Sequence, residues 1–106
     1  MPEPDPLSAT SALWRVVRAI PAGCVVGYGA VGKASDRPVS GFLVGKWLSH
    51  CPADVPWWRV VGSNGDLLVA KRSEVLAQEQ RQRLEAEGVS FTLEGRVVAT
   101  AFCVLD

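Results

Sequence analysis

The sequence predicts a mainly α-helical domain with short β-strands, organised around a helix-turn-helix pair and ending in a β-hairpin. Three observations carry that expectation. Residues 11–20 place apolar side chains on one helical face, two short helical segments flank Asp36-Arg37-Pro38, and two β-like runs meet at Glu94-Gly95. With 106 residues there is space for one domain, and 48% hydrophobic residues is too many for a disordered chain.

The elements follow in order. Leu13, Trp14, Val16, Val17 and Ile20 recur near i, i+3, i+4 and i+7, with Thr10 or Ser11 as cap and Pro21-Ala22-Gly23 as stop. Val25 and Val26 form a short extended link. Helices are expected over 28–35 and 39–49, the second with Pro38 in its first turn, where a missing N–H costs nothing. Pro52 and Pro56 exclude helix, 57–61 favours extended backbone, and Ser63-Asn64-Gly65-Asp66 is a turn. A helix over 74–87 takes Ser73 as N-cap and Gly88 as its stop; its charged and Gln-rich composition predicts a largely solvated face. Runs 89–93 and 97–104 then pair as a hairpin.

Formal net charge is zero, yet the charge is polarised along the chain. Residues 12–72 carry eight basic groups against three acidic ones, a balance of +5; residues 73–106 stand at −3 and the first eleven at −2. Averaging over the chain hides a basic stretch suited to phosphates. The start, Met1-Pro2-Glu3-Pro4-Asp5-Pro6, is acidic and proline-broken, unlike a signal peptide, and no apolar run reaches the roughly 20 residues of a membrane span. A disordered tail over 1–10, a domain over 11–106, a cytoplasmic location and free thiols at Cys24, Cys51 and Cys103 are therefore expected. With His50 the lone histidine, no metal site is expected, and nothing calls for an organic cofactor.

Five constellations bear on chemistry. Gly41 and Gly45 lie within a helical segment, where each glycine costs about 1 kcal/mol relative to Ala, so something approaches that backbone closely. The partner is either another helix or a nucleic-acid groove, with Arg37 and Lys46 beside it. Tyr28, between two glycines, is either a half-buried packing residue or a contact to phosphate or base. Trp57 and Trp58 are either both core or divided, one indole walling a pocket for a flat ring. Cys51 adjoins His50, but neighbouring side chains point apart and Pro52 follows, so a nucleophile–base pair is disfavoured. The dense charges from Glu74 to Glu87 read as a solvated face or a docking surface for another protein.

Taken together, Leu13-Trp14-Arg15-Val16-Val17-Arg18-Ala19-Ile20-Pro21-Ala22-Gly23, Val25-Val26-Gly27-Tyr28-Gly29, Val44-Gly45, Val55-Pro56-Trp57-Trp58-Arg59-Val60-Val61 and Ser63-Asn64-Gly65 resemble the DNA-binding domain of the O6-alkylguanine-DNA alkyltransferases. That family carries its reactive cysteine in a P-C-H-R-V motif. Here Trp57 stands at the cysteine position and Trp58 at the histidine position, the mark of the alkyltransferase-like subgroup. The segment Glu79-Gln80-Arg81-Gln82-Arg83-Leu84-Glu85-Ala86-Glu87-Gly88-Val89 also looks like that subgroup's helix. The resemblance covers roughly residues 11–90 and implies a winged helix-turn-helix DNA-binding domain.

It also implies a function. Alkyl transfer needs a thiolate and a base, and indole supplies neither, so the resemblance implies a non-enzymatic sensor of O6-alkylguanine in double-stranded DNA. Tyr28 matches the residue that turns the nucleotide out of the duplex, and 39–49 the recognition helix laid in the minor groove, with Arg37, Gly41, Phe42, Gly45 and Lys46 facing DNA. Tyr28, Trp57, Trp58, Val60, Val61, Ser63 and Asn64 are the implied lesion pocket. The family's arginine finger falls on Phe42, which is expected to act as an apolar wedge. The implied partners are lesion-bearing DNA and nucleotide excision repair proteins, docked through the acidic segment after residue 73, with the chain a monomer. A general DNA-binding module and a transferase using Cys51 are the alternatives.

Overall fold

The computed structural model describes residues 8–105. The first helix, α1, spans Ala9–Arg18 and starts earlier than expected. Its cap is Ser8 rather than Thr10 or Ser11: the Ser8 Oγ accepts the Ser11 N–H at 3.1 Å. Of the expected disordered tail, residues 1–7 lie outside the described residues, while 8–10 belong to this helix start. Leu13, Trp14, Val17 and Ile20 are buried, so the apolar stripe faces the core.

The helix-turn-helix consists of α2, Tyr28–Ala34, and α3, Gly41–Leu48. The expected start of α3 at residue 39 moves inward because Ser40 caps it, its Oγ accepting the Leu43 N–H at 3.2 Å; Pro38 stands in the connection. The two helices meet through backbone. The Val39 N–H donates to the Gly32 carbonyl at 3.2 Å, and a Cβ at Gly32 would run into the Val39 carbonyl oxygen.

Two strands of two residues organise the interior. Val26–Gly27 (β1) pairs in parallel with Val60–Val61 (β2), in the register Val26 to Val60 and Gly27 to Val61. Successive strand residues face opposite sides. Val26 and Val60 therefore join α1, α2 and α3 in one core, with Leu13, Val17, Val31 and Val44, while Val25 and Val61 join Leu84, Val89 and Val97 in another. The expected extended run over 57–61 is half correct. Trp57–Arg59 forms a 3-10 turn, closed by the Arg59 N–H to the Pro56 carbonyl at 3.1 Å, and the chain extends from Val60.

Helix α4 spans Glu74–Ala86, capped by the Ser73 Oγ and halted at Gly88, whose φ of +89° favours glycine. Its outer face is charged and its inner face is Ala77, Gln80 and Leu84. Gln80 is fully buried, and its Nε2 donates to the Trp58 carbonyl at 3.1 Å and the Val60 carbonyl at 3.0 Å. The C-terminal hairpin is reduced to one antiparallel bridge, Phe91 to Val97, around a tight turn. Beyond it, 97–104 does not continue as a strand. Ala99–Ala101 winds into a 3-10 turn, and Phe102 forms a parallel bridge with Val25, whose N–H and carbonyl bond the Ala101 carbonyl and Cys103 N–H at 2.9 and 3.0 Å. The open backbone edge at Val25 takes the hydrogen bonds a longer hairpin would have made. Among the described residues, no helix is long and apolar enough to cross a membrane.

Glu87, just past α4, ties the end of that helix to two other parts of the chain, the α1 exit and the Trp57–Arg59 turn. Its carboxylate accepts from Arg59 Nη2 at 2.7 Å, Trp58 Nε1 at 2.9 Å and the Gly23 N–H at 3.2 Å, while Arg59 Nη1 donates to the Ile20 carbonyl at 2.8 Å. Burial alone raises the Glu87 pKa, but the Arg59, Trp58 and Gly23 hydrogen bonds outweigh it and hold the carboxyl below its ordinary value.

Two outcomes follow for stability. Gly32→Ala strikes backbone and loses about 3 kcal/mol or more, whereas Gly29→Ala meets nothing within 4 Å and gains up to about 1 kcal/mol; urea unfolding of both variants measures the contrast. Glu87→Gln leaves Arg59 half-paired and costs about 3 kcal/mol at neutral pH. Because the folded-state pKa is depressed, the Glu87 contribution is present above the ordinary carboxylate range and is lost as pH falls through the folded value, so the gap between wild type and Glu87→Gln closes in acid.

Candidate nucleic-acid interface

An open groove of about 540 Å³ runs between the start of α2, the exposed face of α3 and the 3-10 turn Leu68–Lys71. Tyr28, Gly41, Phe42, Gly45 and Lys46, five of the residues singled out from sequence, line one side; Leu68, Val69, Lys71 and Arg72 line the other. Ser49, Val69 and Arg72 also border a second cavity of about 310 Å³, walled by Leu48, Pro52, Trp57, Trp58 and Leu76. Groove and cavity thus share a wall. An open groove adjoins a recess partly walled by two indoles.

Glycine shapes this surface in two ways. A Cβ on Gly41 would lie 3.1 Å from the Gly29 nitrogen, so its small size serves the contact with α2. A Cβ on Gly45 would meet the Tyr28 ring at 3.7 Å, ordinary contact distance, so a bare helix face leaves room for the ring above it. Tyr28 is half-buried. Burial raises its phenol pKa and the nearby Arg72 charge partly offsets that, so the hydroxyl stays protonated and able to donate. Phe42, by contrast, is 80% exposed in the first turn of α3, which excludes a core role.

The two indoles divide between the cores. Trp57 packs against the α1–α3 core and Trp58 against the α4 core, with ring centroids 6.2 Å apart and planes at 86°. Trp58 is held on several sides: Nε1 by Glu87, the ring by the Arg83 guanidinium at 4.5 Å and the Arg59 guanidinium at 5.5 Å. Arg83 is itself paired with Glu79 at 3.0 Å. Trp57 is the freer indole at the cavity wall.

Other expected residues lie elsewhere. Val60 and Val61 are fully buried, because β2 runs between two cores and has no solvent face; they support the cavity rather than line it. Ser63 and Asn64 are exposed but border neither cavity, and the Asn64 side chain is engaged in its own turn, accepting the Asp66 N–H at 3.2 Å. Arg37 projects from the α2–α3 connection outside the groove lining.

Arg72 and Lys71 were missed as site residues, although a basic pair directly after the apolar Leu67-Leu68-Val69-Ala70 was the available signal. Among the described residues, Lys46, Lys71 and Arg72 form no salt bridge, leaving three cations on one groove. Cys51 borders the cavity, but burial pushes its thiol up, so little thiolate forms near neutrality. His50 is exposed beside it.

Comparison with known proteins places this arrangement. The family model of the 6-O-methylguanine DNA methyltransferase DNA-binding domain matches residues 8–89. A relative named DNA base-flipping protein, from Escherichia coli, is 37% identical over 87 residues, 80% of this chain and 65% of its own length. The chain therefore spans about two thirds of that relative. The crystal structure of S. pombe Atl1 with damaged DNA containing O6-carboxymethylguanine matches with a TM-score of 0.69 and 30% identity, over 83% of this chain and 84% of that one. The Mycobacterium tuberculosis O6-methylguanine methyltransferase matches with a TM-score of 0.63 and 28% identity, over 74% of this chain and 47% of that one. The matched region takes in α1 to α4 with both cavity walls, and the chain belongs to the family of the 6-O-methylguanine DNA methyltransferase DNA-binding domain.

Proposed function

We propose that this protein binds double-stranded DNA in the basic groove, turns an O6-alkylated guanine out of the stack and holds it in the adjoining cavity without removing the alkyl group. The observation that carries this reading is the shared wall: Arg72 and Val69 border both the groove with Tyr28 and Phe42 and the recess with Trp57. A strand in the groove has its extruded base within reach of the recess. Base extrusion costs a few kcal/mol, least for a poorly paired base, which favours an alkylated guanine over an intact one.

The chemistry of the recess supports binding without reaction. Trp57 offers a flat apolar surface and no nucleophile, Trp58 is pinned by Glu87, and the Cys51 thiol is raised. A bound lesion is then a signal for another pathway, and nucleotide excision repair proteins are the partners we assign to it. The outer face of α4, with Glu74, Gln78, Gln82 and Glu85 exposed on a monomer, is the docking surface proposed for them.

A gel-shift comparison of duplexes with and without O6-methylguanine tests the binding. Preference for the lesion of about tenfold or more is expected; equal affinity would reduce the protein to a general DNA-binding module. Incubation with a labelled methyl lesion leaves no stable label on the protein, whereas labelling would make it a transferase through Cys51. Affinity falls with salt along a log–log slope of about −3 if the three groove cations each neutralise one phosphate, and Lys46→Ala flattens it by about one without changing the unfolding midpoint.

A further inference from the structure

Two of the cysteines meet where the C-terminal segment returns to the interior. Val25 and Phe102 form a parallel bridge, and the Val25 carbonyl accepts the Cys103 N–H at 3.0 Å. Both bridge residues pack against the α4 core. Successive residues of extended backbone face opposite sides. Cys24, one position before Val25, and Cys103, one position after Phe102, therefore turn together to the other side. Cys24 packs there against the α1–α3 core, as does Leu105, two residues beyond Cys103. The two thiols lie in hydrogen-bonding contact, and both are half-buried, so a small solute can reach them. Cys51 sits elsewhere, on the border of the recess with Trp57. Burial and the Cys24 thiol push the Cys103 pKa up to about 11, so Cys103 is a thiol and not a thiolate near neutrality.

We infer that Cys24 and Cys103 are a disulfide-forming pair, closed by exchange with a low-molecular-weight disulfide such as oxidised glutathione. In the first step the Cys24 sulfur, as thiolate, attacks one sulfur of glutathione disulfide. A Cys24–glutathione bond forms and one glutathione leaves as its thiolate. The Cys103 sulfur gives up its proton to solvent and attacks the Cys24 sulfur; the bond to glutathione breaks and the second glutathione leaves. The protein loses two thiol hydrogens, and one glutathione disulfide becomes two glutathiones. Closure draws the sulfurs from contact to about 2 Å apart. That movement is open to a C-terminal segment held at this point by one bridge and its two hydrogen bonds. The cross-link joins the approach to β1 to the end of the domain, so it closes most of the chain into one loop. Long loops restrict the unfolded chain most. None of the residues lining the groove or the recess lies on the bridged segments, so closure acts on stability and stands apart from the function proposed above.

The test uses the full chain as wild type, Cys24→Ser, Cys103→Ser and Cys51→Ser. Each is equilibrated at mildly alkaline pH in mixtures of reduced and oxidised glutathione, quenched with acid, and mapped by mass spectrometry after proteolysis without reduction. Wild type and Cys51→Ser are expected to yield peptides joined through Cys24 and Cys103, lighter by two hydrogens. Cys24→Ser and Cys103→Ser yield at most a glutathione adduct on the remaining thiol. Oxidised Cys51→Ser, which carries no adduct in the recess, unfolds about 10 °C or more above its reduced form. Phenylarsine oxide bridges two adjacent thiols without any oxidant, and binds reduced wild type and Cys51→Ser one to one but neither of the other variants. Cross-links through Cys51, or separate glutathione adducts on Cys24 and Cys103 of wild type, overturn the inference. So does an oxidised protein no more stable than the reduced one, or an arsenical that Cys24→Ser and Cys103→Ser bind as wild type does. Loss of lesion preference in a DNA-binding assay bears on the proposed function alone and leaves the pair standing.

Discussion

The Glu87 carboxylate is the point on which the arrangement hangs. Three segments far apart in sequence meet there: the exit of α1 through Ile20 and Gly23, the turn that carries Trp57, Trp58 and Arg59, and the end of α4. A carboxylate out of full contact with water is tolerated only with its lone pairs occupied, and here each oxygen is. That requirement orients Trp58 through its Nε1, and with Trp58 fixed, the edge-to-face contact with Trp57 sets the wall of the cavity. The recess and the groove beside it inherit their geometry from an ion pair that touches neither.

Much of the fold was legible because its signals are local. The α1 stripe, the pair of short helices, and the Ser73 and Gly88 limits of α4 all lie in short windows of sequence. What shifted at the helix starts was which hydroxyl reached an unpaired N–H: Ser8 in place of Thr10 or Ser11, and Ser40 two residues after Pro38. Non-local pairing was not legible. The stretch 97–104 has the composition of a strand, yet the partner of Phe102 is Val25, and nothing near residue 102 announces it.

The site divides along the same line. Tyr28, Gly41, Phe42, Gly45 and Lys46 fall on two consecutive helices, so their proximity follows from the helix-turn-helix itself. Val60 and Val61 entered the expected pocket through the resemblance alone, and a two-residue strand between two cores leaves both side chains buried behind the cavity. Arg72 went unnoticed because Leu68–Lys71 forms a 3-10 turn, too short to carry a period, and only that turn brings the basic pair opposite α3. The glycines had two candidate partners, and each has a protein neighbour: Gly41 the α2 backbone, Gly45 the Tyr28 ring.

Gln80 grips the Trp58 and Val60 segment by its carbonyl oxygens and not by any side chain. A main-chain grip is blind to residue identity, so the turn keeps its path whatever side chain position 57 carries. On such a scaffold, chemical capability can be gained or lost by a single exchange while the architecture around it stands still. Evolution can then try a reactive group, a mere wall, or something between at that position, with the backbone held constant as the control.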